Sequence, residues 1–93
     1  MFWTIRESRA VTKEVPRFPL QIRERYEAWK AIVRTHGPQH LRQIKGFHDE
    51  ALRGEWQGYR SSRLNLQYRV IYTVVEESVV VLVERVTPHD YRR

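Results

Sequence analysis

Tyr59-Arg60-Ser61-Ser62-Arg63-Leu64-Asn65-Leu66-Gln67-Tyr68-Arg69-Val70-Ile71-Tyr72-Thr73-Val74-Val75 is the stretch that decides the fold. Tyr59 to Leu64 and Tyr68 to Val75 are rich in aromatic and β-branched residues and read as strands. In the second run Tyr68, Val70, Tyr72 and Val74 fall on one face, while Arg69, Ile71 and Thr73 fall on the other. Asn65-Leu66-Gln67 is short enough to be a hairpin connection, which makes the two strands antiparallel neighbours. Ser78 to Val86 reads as a third strand, joined to the second through Glu76-Glu77.

Upstream the period changes. Phe2 to Ile5 reads as a short opening strand, and residues 7–15 can form one or two helical turns before Pro16 and Pro19 interrupt the chain. From Leu20 the apolar residues recur as Ile22, Tyr26, Trp29 and Val33, the spacing of one helical face. Gly37 is a fitting stop, and Pro38 can open a further short helix carrying Leu41 and Ile44. Helices first and a meander afterwards predict an α+β fold, with the N-terminal strand and helices packed on one face of an antiparallel sheet. No repeat or linker divides the chain, so residues 1–93 form one domain.

Composition narrows the function. The absence of cysteine excludes thiolate metal sites, cysteine nucleophiles and disulfides. The sequence carries no signal-peptide pattern and no apolar run approaching the roughly 20 residues of a membrane span, so a cytoplasmic protein is expected. The net charge of +6 suits a polyanionic partner. Residues 1–47 hold ten Lys/Arg against four Asp/Glu, and residues 48–93 hold seven of each. The helical half supplies the bulk field. The second half mixes acids, bases and aromatics, as a site for chemistry does.

Three groups in that half can carry chemistry. Across a three-residue loop Arg63 and Arg69 stand opposite each other, an unfavourable pairing of like charges. An anion gripped by both guanidiniums relieves it; alternatively Arg69 pairs with Glu84 on the next strand, or both side chains simply reach water. Phe47 to Gly54 offers His48, Asp49 and Glu50. Asp49 and Glu50 can form an ordinary helix pairing with Arg53, or one carboxylate (or His48) can act as a general base. In the tail, Thr87 to Arg93, His89 is suited to protonating a leaving oxygen near neutral pH and Tyr91 to stacking on a base. The four histidines lack a tight ligand cluster, and Gly37-Pro38 breaks the one i,i+4 pair, so no metal or other cofactor is expected.

Taken together, Gly54-x-Trp56-x-Gly58-Tyr59-Arg60-Ser61-Ser62-Arg63-Leu64, Tyr68-Arg69-Val70-Ile71-Tyr72 and Pro88-His89-Asp90-Tyr91 resemble the RelE/ParE superfamily of bacterial toxins. Within it they are most similar to the ribosome-dependent ribonucleases RelE, YoeB, YafQ and HigB. The resemblance is specific over residues 47–91; before that only the order of elements matches. Position by position it implies that Arg69 contacts the scissile phosphate and that Arg63 is its basic companion. Glu50, thirteen residues before Arg63, falls at the general base of YoeB-like toxins. His89 matches the general acid and Tyr91 the terminal aromatic residue. Arg53 and Arg60 are the implied substrate-binding residues, and His48 is the alternative base. Ser61 stands where RelE has a lysine and Gln67 where YafQ has an aspartate.

The function this resemblance implies is that of the toxin of a type II toxin–antitoxin system. Its activity is metal-independent cleavage of mRNA in the ribosomal A site by attack of the ribose 2′-hydroxyl. Its partners are the ribosome-bound mRNA and a cognate antitoxin protein. The basic helix face of Arg23, Arg25, Lys30 and Arg34 is the expected landing surface for an acidic antitoxin segment or for ribosomal RNA. The competing reading is a ParE-like inhibitor of DNA gyrase without nuclease activity.

Overall fold

The computed structural model of the chain describes residues 2–75 and 78–89. Strand β1 (Thr4–Glu7) leads through Ser8 into a short helix, α1 (Arg9–Glu14). The Ser8 Oγ accepts a hydrogen bond from the Val11 N–H at 3.2 Å, satisfying one of the otherwise orphaned donors of the first turn. Pro16 tightens Val15–Arg17 into a 3-10 turn, and Pro19 leads directly into helix α2 (Leu20–His36). The buried positions of α2 are Ile22, Tyr26, Trp29 and Val33, the predicted face. Gly37 ends the helix with φ 84°, backbone that L residues rarely adopt. A Cβ there would also lie 2.9 Å from the Trp3 indole nitrogen, so glycine answers two demands at once.

Beyond Gly37, Pro38–Gln43 and Lys45–Phe47 are 3-10 turns, followed by strands β2 (Glu50–Ala51), β3 (Arg60–Arg63), β4 (Arg69–Val75) and β5 (Val80–Thr87). They form a five-stranded sheet in the order β1-β5-β4-β3-β2. The hairpin from β3 to β4 turns through Asn65, whose side-chain oxygen accepts from the N–H groups of Gln67 and Tyr68. The expected antiparallel sheet is confirmed for β2 to β5, but β1 pairs with β5 in parallel, Thr4 opposite Val80 through Glu7 opposite Val83. That contact joins elements from opposite ends of the chain, and no local periodicity encodes it.

One face of the sheet carries the core. Val70, Tyr72, Val81, Val83 and Val86 are fully buried against α2, with the Trp29 and Tyr72 rings 5.3 Å apart, edge to face. Strict alternation would not put both Val83 and Val86 on that face. A bulge allows it: Ile71 opposes Arg85 and Tyr72 opposes Val83, leaving Glu84 extra. The Ser8 hydroxyl donates to the Glu84 carbonyl at 2.7 Å, tying the start of α1 to the bulge. The same register settles two open readings. Arg69 opposes Thr87 and not Glu84. Residues 47–54 are not a helical turn that pairs Glu50 with Arg53, but a 3-10 end, a left-handed His48 and the edge strand β2.

Candidate functional site

Alternation along β3 and β4 sorts the polar side chains of this region onto two faces. Arg60 and Ser62 belong with Tyr72 on the core side; Ser61 and Arg63 belong with Arg69 and Ile71 on the other. Arg63 and Arg69 are direct cross-strand partners, as the loop length predicts. Such opposed guanidiniums repel. Arg69 is only 4% exposed, and its Nη1 donates to the carbonyl oxygen of His89 at 3.3 Å. The His89 N–H in turn donates to the Thr87 hydroxyl at 3.1 Å, and Thr87 is the partner of Arg69 on β5. His89 therefore turns back toward Arg69.

Glu50 joins the same face from the sheet edge. It pairs with Ser61, two residues before Arg63 on β3, which is about 7 Å along the strand. The register thus gathers Glu50, Arg63 and Arg69, with the main chain of His89 against Arg69. Tyr91 lies outside the described residues. His48 is exposed, with φ 43°, and Arg53 is exposed beyond β2. Arg60 is not gathered with the arginine pair. Its Nε donates to Asp49 Oδ1 at 2.6 Å on the opposite face.

Asp49 is the residue that sequence reasoning passed over as part of a helix pairing. Its side chain is wholly buried, and its Oδ2 also accepts from Ser62 Oγ at 2.6 Å and from the Tyr72 hydroxyl at 2.5 Å. Burial, and then the neighbouring Asp49 charge, push the Tyr72 phenol far above its ordinary range. For Arg60 burial acts downward, but the bond to Asp49 and its charge outweigh it and hold the guanidinium more firmly protonated. A signal was legible. Arg60, Ser62 and Tyr72 alternate onto the core side, and three donors there require an acceptor.

The basic face of α2 is partly engaged. Arg23 donates to the Phe18 carbonyl at 3.0 Å, Arg25 to the Leu64 carbonyl at 2.9 Å, and Lys30 pairs with Glu27 at 2.9 Å. Arg25 also lines a mostly apolar cavity of about 250 Å³ with Ala28, Ile44, Gly46, Phe47, Arg63 and Leu64. The His36 and His40 rings lie 4.8 Å apart across the Gly37 break, yet among the described residues no group of three His, Cys, Asp or Glu gathers to hold a metal ion. No helix among them is long and apolar enough to cross a membrane.

No protein-family model matches the chain, and no curated protein matches it significantly. Solved structures do match. A chain of the archaeal RelE–RelB complex from Pyrococcus horikoshii OT3 is similar at 23% identity and TM-score 0.73, covering 95% of this chain and 96% of that one. A chain of the YoeB–YefM complex from Staphylococcus aureus matches at 17% identity and TM-score 0.74, covering 97% and 100%. A chain of the E. coli DinJ–YafQ complex matches at 20% identity and TM-score 0.70, covering 94% and 92%. The chain therefore has the RelE-like fold.

Proposed function

We propose that this protein is the toxin of a type II toxin–antitoxin system and acts as a metal-independent endoribonuclease on ribosome-bound mRNA. The observation that carries the reading is the Arg63–Arg69 pair, with Glu50 on the same face and the His89 backbone against Arg69. The full-length likeness to chains of toxin–antitoxin complexes supports it.

In this reading the two guanidiniums grip the scissile phosphate and stabilise the charge that builds on its oxygens. Glu50, or His48 in its place, takes the proton of the ribose 2′-hydroxyl, and that oxygen attacks phosphorus. The bond from phosphorus to the 5′-oxygen breaks, and the His89 imidazolium gives the leaving oxygen its proton. A 2′,3′-cyclic phosphate and a 5′-hydroxyl result. Tyr91 stacks at the substrate, Arg53 adds a phosphate contact, and Arg60 contributes by supporting the site through Asp49. The ribosomal A site orients the RNA, a positional contribution the toxin does not make alone.

The cognate antitoxin is the protein partner, and the cytoplasm the place of action. Primer extension on a translated message tests the reading: strong stops within codons are expected with the purified chain, and none with His89→Ala. Intact message together with inhibited gyrase supercoiling would replace it with the ParE-like reading.

A further inference from the structure

Strand β2 is two residues long, Glu50 opposite Ser61 and Ala51 opposite Arg60. A ladder this short cannot fix its own register, and a slip of one residue would turn Glu50 to the other face of the sheet. The chain also enters β2 through His48 in the left-handed region, a conformation a non-glycine residue keeps only where its surroundings hold it. Asp49 stands between that turn and the strand. Its two carboxylate oxygens receive Arg60 Nε, Ser62 Oγ and the Tyr72 hydroxyl, three donors from β3 and β4. Neighbouring residues of an extended chain point to opposite faces. Pinning Asp49 on the side of Arg60, Ser62 and Tyr72 therefore puts Glu50 on the side of Arg63 and Arg69.

We propose that Asp49 is the positioning residue of this site: its buried carboxylate, clamped by Arg60, Ser62 and Tyr72, sets the register of the edge strand and so aims Glu50 at the arginine pair. The inference deepens the ribonuclease reading and rests on it for its catalytic meaning, although the structural half stands by itself. Asp49 touches no substrate. It acts through Glu50, and its carboxylate is required as an acceptor. An asparagine keeps the shape but turns one acceptor into a donor that faces donors, and leaves the Arg60 charge unmatched.

The test compares the full chain with Asp49→Asn, Tyr72→Phe, Glu50→Ala and the double variant Asp49→Asn/Glu50→Ala. Residue-resolved amide hydrogen exchange reads the strand. In Asp49→Asn the Leu52 amide, which donates to Tyr59 at 2.9 Å, and its β2–β3 neighbours should exchange at least tenfold faster, while the amides of Tyr26 and Trp29 in α2 keep their protection. Tyr72→Phe removes one donor and leaves the ion pair, so it should show the same local change at smaller size; it carries the test if Asp49→Asn does not fold.

Cleavage of a translated message reads the consequence. Asp49→Asn should lose about as much rate as Glu50→Ala, and the double variant no more than either. Unchanged β2–β3 exchange in both variants overturns the proposal, as does protection lost evenly across α2 and the sheet, or a double variant that falls by the product of the two singles. If the unaltered chain does not cleave, the ribonuclease reading falls, and the exchange measurement still decides whether Asp49 sets the strand.

Discussion

Arg63 and Arg69 face each other directly across the β3–β4 hairpin, and Arg69 is held there by the carbonyl of His89. On the proposed reading, two guanidiniums so placed clamp an anion. Phosphate should therefore stabilise the folded chain. At ten times its dissociation constant the expected gain is about 1.4 kcal/mol, which for a domain of this size raises Tm by roughly 6–11 °C. Thermal melts in phosphate and chloride at matched ionic strength check this, and Arg63→Gln should remove the difference.

The same pair should dominate turnover. Arg69→Ala and Arg63→Ala are each expected to lower mRNA cleavage by about 10²–10³-fold, the usual effect of deleting a donor to a developing oxyanion. Arg69→Lys should recover little, because an ammonium cannot reproduce the two-pronged contact. Single-turnover primer extension at saturating ribosomes would show this; a fully active Arg69→Ala would refute the clamp.

Tyr26 and Tyr72 predict an alkaline limit to stability. Burial, with Glu7 bonded to the first and Asp49 to the second, raises both phenols well above the ordinary value of 10.0. A raised folded-state pKa gives stability that is complete below the unfolded value and declines as pH climbs past it. Stability should thus hold up to about pH 10 and fall above it. Absorbance of tyrosinate should show these two of the five tyrosines ionising only as the chain unfolds. Tyr72→Phe should soften the decline.

Two substitutions test the scaffold. Trp29→Ala removes a fully buried ring from its contact with Tyr72 and should cost about 3–5 kcal/mol in urea unfolding. Gly37→Ala forces a side chain into φ 84° and against Trp3, and should cost roughly 1–3 kcal/mol or more. Glycine-like stability for Gly37→Ala would show that the loop can move away.

What the sequence disclosed was whatever local spacing encodes. Ile22, Tyr26, Trp29 and Val33 declared the buried stripe of α2, and a three-residue loop declared the opposition of Arg63 and Arg69. What it hid depends on distant partners. Two residues of β2 show no alternation, so Glu50 read more readily as a helical neighbour of Arg53. The parallel pairing of β1 with β5 leaves no trace in either segment alone. Asp49 acquires its meaning only once Ser62 and Tyr72 are seen to share its side of the sheet.

Among the described elements strand β5 is translated last, yet it lies between β1 and β4. During synthesis β1 is made before the other described elements and waits for β5 before it meets its neighbour. A polypeptide stopped short of Val80 has β4 with one bare edge and lacks His89, whose carbonyl meets Arg69. The sheet therefore closes around β5 late, after the arginine-bearing hairpin has already been made.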